Sequence, residues 1–265
     1  MNIVVCTKHV PDTAATLKVD EQSNVAWGDA PLVMNPWDDY AVEEALRLKE
    51  KHGGKVTVVA MGPEQTREAL KNAVAMGCDE AIQLWDPAFD GSDAPTTALI
   101  LAKAIEKIGN VDLALFGRQA IDGDTGLVPP GVARRLGWPL AAFVAKIREI
   151  DPAAKTLTVE RLLEEGRQVL SSRLPAVVSV VKEINEPRYP SFMGIRKASK
   201  MQPAVWTTAD LGLDPASVGR GAAAVQWTRI YAPPPRAGSV EIIAGDTPEA
   251  IAAKLVDKLM AEKVI

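Results

Sequence analysis

The residues best suited to chemistry gather in one run, Gly117-Arg118-Gln119-Ala120-Ile121-Asp122-Gly123-Asp124-Thr125-Gly126. Glycines let backbone N–H groups approach a phosphate closely, and a helix following the run favours an anion at its N-terminus. Asp122 and Asp124 would repel a phosphate that they faced. They suit capping of the helix or acceptance of hydrogen bonds from ribose hydroxyls. The plainer alternative is a polar strand-to-helix loop. Three further stretches belong at the same place if the chain is an open α/β sheet: Cys6-Thr7-Lys8-His9, Met34-Asn35-Pro36-Trp37-Asp38 and Met61-Gly62-Pro63. Loops meeting at the carboxyl ends of strands make the default small-molecule pocket. Cys6 reads as an inert buried thiol, because no His–Asp set accompanies it. G-x-x-x-x-G-K-[ST], G-x-S-x-G and H-E-x-x-H are missing, as is G-x-G-x-x-G after the first strand. With His9 and His52 the two histidines, a metal site or a triad has little support, and side-chain catalysis by this chain alone is not expected.

A second stretch with functional content runs from Asn185 to Lys200. Tyr189, Phe192, Met193 and Ile195 sit there among Arg188, Arg196, Lys197 and Lys200, and Pro187 and Pro190 argue against a helix. Burial of the loop would account for these apolar residues. An exposed Phe192 ringed by cations would instead anchor a partner, with electrostatic steering.

The elements that must position these residues follow from periodicity. Aliphatic runs at 3–6, 56–61, 80–84 and 111–116 read as buried strands, and amphipathic segments at 40–49, 66–76 and 94–107 read as helices. Asp38 or Asp39 can cap the first helix, Glu43 can pair with Arg47, and Gly53-Gly54 stops it. A further helix begins near Pro129-Pro130 or is broken there. β-type patches occur around Leu17-Lys18-Val19 and Val25-Ala26-Trp27. After about Trp138 the pattern changes to an antiparallel pair at 156–161 and 167–172, then a strand at 176–181. The expected fold is α/β: a doubly wound, mainly parallel sheet with flanking helices. Residues 1–186 would form this domain. Residues 187–265, with one last helix at 247–262, would be a recognition loop and C-terminal arm with too little apolar periodicity for a core of their own.

Composition agrees. The chain has 265 residues, 47% hydrophobic but only 5% aromatic, which favours an Ala/Val/Ile/Leu core around a parallel sheet. A net charge of −4 with interspersed signs does not favour a nucleic-acid partner. Cys6 and Cys78 cannot make a disulfide framework. The N-terminal residues read as a strand rather than a signal peptide, and no apolar run is long enough to span a membrane. A soluble, cytoplasmic protein is the expectation.

Taken together, an ordered set of motifs resembles the electron-transfer flavoprotein beta subunit, the family that includes FixA. The set comprises Val4-Val5-Cys6-Thr7-Lys8, Asn35-Pro36, residues 41–50, Met61-Gly62-Pro63, Ala75-Met76-Gly77-Cys78-Asp79, Gly117-Arg118-Gln119-Ala120-Ile121-Asp122, Leu174-Pro175-Ala176-Val177 and Asn185-Glu186-Pro187-Arg188-Tyr189. It covers nearly the whole chain. The resemblance implies an adenine-nucleotide α-hydrolase-like fold and a heterodimer with an alpha subunit that holds most of an electron-carrying FAD. It also implies an adenine-nucleotide site in this chain, lined by Cys6, Asn35, Pro36, Trp37, Asp38, Met61, Gly117, Gln119, Ala120, Asp122, Gly123, Asp124, Thr125, Gly126, Leu127 and Val128. Residues 189–200 resemble the family's recognition loop, with Arg188, Tyr189, Phe192, Met193 and Ile195 as docking residues.

The resemblance leaves the ligand open. Asp122-Gly123-Asp124-Thr125 looks like members with a second, bifurcating FAD, whereas Asn35-Pro36-Trp37-Asp38 looks closer to AMP-binding members. Gly126-Leu127-Val128 matches neither, so phosphate contacts would fall on backbone amides. AMP is the first expectation. The carrier would then move electrons from acyl-CoA dehydrogenase-type flavoenzymes to a membrane quinone reductase. The alternatives are a bifurcating complex with NADH as donor and, from another class, a stand-alone nucleotide-binding regulator.

Overall fold

The computed structural model describes residues 1–15, 18–21, 25–26, 30–225, 227–234, 238 and 240–265. Its strands and helices alternate as expected through the first half. β1 (Asn2–Thr7) leads through β2 (His9–Pro11), β3 (Lys18–Val19), β4 (Val25–Ala26) and β5 (Leu32–Met34) to α1 (Pro36–His52). β3 and β4 pair antiparallel; Leu17 and Trp27 of the expected patches lie outside the described residues. Then come β6 (Lys55–Met61), α2 (Arg67–Met76), β7 (Glu80–Leu84), α3 (Ala94–Ile108), β8 (Leu113–Gly117) and α4 (Val128–Leu136). The second half contains β9 (Leu140–Asp151), β10 (Thr156–Leu163), β11 (Gly166–Arg173), β12 (Ala176–Val180), α5 (Phe192–Lys200), β13 (Ala204–Trp206), α6 (Gly219–Ala222) and α7 (Pro248–Ala261).

A nine-stranded sheet in the order β11-β10-β9-β12-β8-β1-β6-β7-β13 forms the centre. From β9 to β13 every neighbouring pair is parallel, while β10 pairs antiparallel with both β9 and β11. The alternation of β1 explains the two-faced core. Ile3 and Val5 join α1 and α2 residues such as Val42, Leu46 and Leu70 on one side. Val4 and Cys6 join α3 and α4 residues such as Ile100, Ile105 and Val132 on the other. Both faces are buried, which is why these strands read as unbroken aliphatic runs.

The first helix starts earlier than expected. Asn35 is its N-cap and Pro36 occupies the first turn, so Asp38 and Asp39 are first-turn acids rather than caps. Gly53, at φ 70°, closes it, and Glu43 pairs with Arg47 at 2.6 Å. The expectation that prolines keep residues 189–200 non-helical is corrected: Ser191 accepts a hydrogen bond from the Gly194 N–H at 3.0 Å and starts α5. Pro187 and Pro190 lie before the cap, where they cost the helix nothing.

Contacts divide the chain into Met1–Ile230 and Tyr231–Ile265. Residues 187–230 therefore belong with the sheet domain, and the division falls well beyond 186. Arg188 fastens this segment to α1 by a fork onto Glu43 (2.7 and 3.2 Å) and two bonds to Glu50 (2.5 and 3.1 Å). α5 lies on α2, with Gly194 so close that an added Cβ would come within 2.0 Å of the Ala75 carbonyl oxygen. Within the second unit, Thr247 caps α7 by accepting from the Ala250 N–H, Lys258 pairs with Glu241 at 2.7 Å, and none of the helix's residues is buried. No helix among the described residues is long and apolar enough to cross a membrane.

Candidate functional site

A cavity of about 370 Å³ opens where β8, β1 and β6 end, with α3 and α4 starting on its flanks. The chain runs from β1 to β6 on one side and to β8 on the other. That switch of direction leaves the crevice in which open α/β sheets bind ligands. Asn35, only 1% exposed, ties the pieces together. Its backbone N–H donates to the Lys8 carbonyl at 2.8 Å, its Nδ2 to the Gln119 carbonyl at 2.9 Å, and its Oδ1 accepts from the Ile121 N–H at 3.2 Å. Asp38 does the same from below, accepting the Lys8 N–H at 2.8 Å. Gly117 must be glycine, because a Cβ there would lie 2.4 Å from Asp38 Oδ1 and 2.6 Å from the Trp37 carbonyl carbon.

The loop after β8 is held by its own polar groups. The Asp124 N–H donates to the Ala120 carbonyl at 2.8 Å, Gln119 Nε2 donates to Asp124 Oδ1, and Lys8 Nζ bonds both oxygens of Asp122 at 2.8 and 2.7 Å. Neither aspartate caps α4, whose N-cap is Leu127 without a side-chain bond. Pro129 and Pro130 carry no N–H, and the Gly131 N–H already donates to the Leu127 carbonyl at 3.1 Å. Of the first turn of α4, Val128 alone can offer an amide to an anion, and the remaining backbone amides at hand are those of the glycine-rich loop.

Burial dominates the titration of the inner wall. It raises Asp38 to about 7, against the lowering effect of the N–H groups of Lys8 and Gly117, and raises Asp39 to about 6. Burial, with Asp38 nearby, pushes the Cys6 thiol far above its ordinary range, so it is no thiolate. Thr7 borders the cavity as a residue, but its Oγ1 is closed off from solvent and has no hydrogen-bond partner among the described residues. The wall thus offers the amides of the glycine-rich loop to a polar molecule. A larger cavity, about 590 Å³, borders α2, but its charged groups are already paired, Arg67 with Glu64 at 3.4 Å and Lys71 with Glu68 at 2.7 Å.

Residues 24–211 match the electron transfer flavoprotein domain. The chain belongs to the electron transfer flavoprotein family. It is 42% identical over 268 residues to the electron transfer flavoprotein subunit beta of Thermoanaerobacterium thermosaccharolyticum, covering all of both chains. It is 40% identical over 267 residues to the caffeyl-CoA reductase-Etf complex subunit CarD of Acetobacterium woodii, again across both whole chains. To protein FixA of Azorhizobium caulinodans it is 37% identical over 248 residues, 92% of this chain and 88% of that one. The likeness is to the beta-subunit and FixA branch. Beta subunits of the electron transfer flavoprotein are electron-transfer subunits, and an alpha subunit is the implied partner.

For an electron transfer flavoprotein beta subunit, the cavity gathers most of the expected site residues. Cys6, Asn35, Asp38, Met61, Gly117, Gln119, Ala120, Gly123, Asp124, Thr125, Gly126 and Val128 line it. Pro36, Trp37, Asp122 and Leu127 do not. Pro36 is used as a helix start, Trp37 lies under the Arg118 guanidinium (5.6 Å to the ring centre), Asp122 neutralises Lys8, and Leu127 is 57% exposed. Sequence reasoning missed the wall made by Ser92, Asp93, Ala94, Thr97 and Trp227. The first four were available in principle. They follow the strand read at 80–84, whose carboxyl end lies on the same edge as the others, and Asp93 is a standard helix N-cap type.

On α5, Tyr189 just before the helix is 93% exposed and Phe192 is 81% exposed, with Met193 and Ile195 also out in solvent. Arg188 is turned inward onto Glu43 and Glu50. Burial alone would lift the Glu43 carboxyl, but its bonds to Arg188 and Arg47 outweigh that and hold it below the usual range. Arg188 thus fixes the patch in place while the apolar residues beyond it form the presented surface.

Proposed function

We propose that this chain is the beta half of a heterodimeric electron carrier and that the cavity at the end of β1, β6 and β8 holds AMP. The observation that supports this most is the cavity itself: a crevice of about 370 Å³ at the topological switch, with the glycine-rich loop in its wall. That volume is near the small end for ligand sites. The one cation in the wall, Lys8, is already neutralised by Asp122, which suits a single phosphate better than a pyrophosphate. Cys6, Asn35, Asp38, Met61, Gly117, Gln119, Ala120 and residues 123–126 would enclose the nucleotide. The FAD held chiefly by the alpha subunit supplies the redox chemistry. The task of this chain is to shape that subunit's surroundings and to present the α5 patch to flavin dehydrogenases such as acyl-CoA dehydrogenases, with a membrane quinone reductase as acceptor.

A second reading has its own support. A full-length relative at 40% identity is named as a subunit of a caffeyl-CoA reductase-Etf complex, and Asp122-Gly123-Asp124-Thr125 resembles members with a second FAD. In that case the cavity takes the AMP moiety of the second FAD, and NADH is the donor to a bifurcating complex. The stand-alone regulator loses its ground, since the family and its alpha-subunit partner account for the whole chain. Denaturing the purified heterodimer and chromatographing the released nucleotides separates the cases. One FAD and one AMP per heterodimer is the expected result. Two FAD would replace it with the bifurcating reading, and FAD alone in unit ratio would remove the nucleotide site altogether.

The α5 patch is tested separately. Phe192→Ala should weaken the contact with the dehydrogenase about 10- to 150-fold, as loss of a buried phenyl worth roughly 1.5–3 kcal/mol implies. Flavin content should stay unchanged. Electron transfer at the wild-type rate and KM would exclude the patch as the docking surface.

A further inference from the structure

We infer that Trp227 is a ligand-binding residue of the cavity, laid beside it by a strap that Asp93 fastens; this rests on the nucleotide reading above. Trp227 is remote in sequence from every other wall residue, and the residue is 74% exposed although it borders a cavity. A large aromatic face left in solvent at the rim of a ligand site is what a purine or flavin ring stacks on.

The segment leading to it is built in. Gly219, at φ 69°, crosses the loop after β7 so closely that a Cβ would lie 2.2 Å from the Ala88 carbonyl oxygen, and its N–H donates to Ser92 Oγ at 3.1 Å. The Arg220 N–H donates to the Asp90 carbonyl at 2.9 Å. Asp93 then makes the fastening. Its Oδ1 accepts the Thr96 N–H at 2.9 Å as the N-cap of α3, and its Oδ2 accepts the N–H groups of Ala224 at 2.7 Å and Val225 at 3.1 Å. One carboxylate thus joins the start of α3, itself part of the cavity wall, to the strap that carries Trp227. Burial opposes ionisation of Asp93, but these N–H bonds hold its carboxyl below the usual range.

The ligand class is the same for AMP and for FAD: a planar ring attached through ribose to phosphate. The phosphate end belongs with the loop amides at 123–126, and the ring end with Trp227.

The test uses the intact heterodimer. Bound nucleotide is counted after gel filtration, and AMP and FAD are each titrated calorimetrically into heterodimer stripped of nucleotide from this site. Trp227→Ala should weaken the ligand that the wild type carries by roughly 5- to 150-fold, the range expected for one lost stacking contact. Trp227→Phe should restore binding to within a few-fold, with alpha-subunit flavin and heterodimer unchanged throughout. Wild-type affinity in Trp227→Ala overturns the assignment. So does an equal loss in both variants, or a loss seen only when the alpha subunit also dissociates. Wild-type heterodimer without any nucleotide in this site would instead refute the reading on which the inference rests.

Discussion

Asp38 carries the most consequential titration in the molecule, because it holds the β1 and β8 ends together at the cavity. Burial lifts it from 3.8 to about 7. The folded state therefore binds its proton more tightly than the unfolded chain does. The stabilisation is complete below about pH 4 and is lost as pH rises through 7. The cost at pH 8 is about 4 kcal/mol. In urea titrations, wild-type midpoints should fall between pH 5.5 and pH 8, and Asp38→Asn should flatten that fall. Parallel pH profiles for the two proteins would show that Asp38 is not the group responsible. Next to it, Gly117→Ala should destabilise by about 1–3 kcal/mol through overpacking, since the new methyl group meets Asp38 and Trp37. Thermal unfolding and nucleotide retention would both register this. At this scale the sequence was informative where function needs glycine and small polar residues in one run, as in 117–126. It offered Asp93 as a helix cap but was silent about Trp227 and about the bond from Asp93 to the strap, which depend on a tertiary crossing that no local pattern encodes.

Among the elements, the parallel strands β1, β6, β7, β8 and β12 and the helices between them were legible because these strands are buried on both faces and the helices on one. The misses have physical reasons. β9 (Leu140–Asp151) carries three alanines in its first six residues, which weakens its strand pattern; pairing with β12 and β10 makes it a strand. α5 was hidden by prolines that lie outside it. This helix has two faces with different duties, and two substitutions separate them. Gly194→Ala places a methyl group against the Ala75 carbonyl and should lower stability by about 1–3 kcal/mol, seen as a drop in Tm. Met193→Ala, at a residue 68% exposed, should leave Tm within a degree or two. A large Tm loss in Met193→Ala, or none in Gly194→Ala, would contradict the packing of α5 on α2.

At the level of the whole molecule the two units differ in what holds them. Met1–Ile230 contains both core clusters and the entire nine-stranded sheet. Tyr231–Ile265 has one 14-residue helix with no buried residue, and it exposes Val240, Ile242, Leu255, Val256, Met260, Val264 and Ile265. A helix of that length is marginal in water without tertiary packing. So many apolar side chains outside any core suit a covering surface, and we propose the implied alpha subunit as the partner that provides it. A chain ending at Ile230 should therefore fold with a Tm close to that of the full chain and keep its cavity. Its affinity for the alpha subunit should fall by at least about 100-fold, as expected when an interface loses its apolar anchors. Size-exclusion chromatography and titration with the alpha subunit give the answer. Undiminished association would move the subunit interface onto Met1–Ile230, and a collapsed Tm would make the arm part of the fold rather than of the assembly.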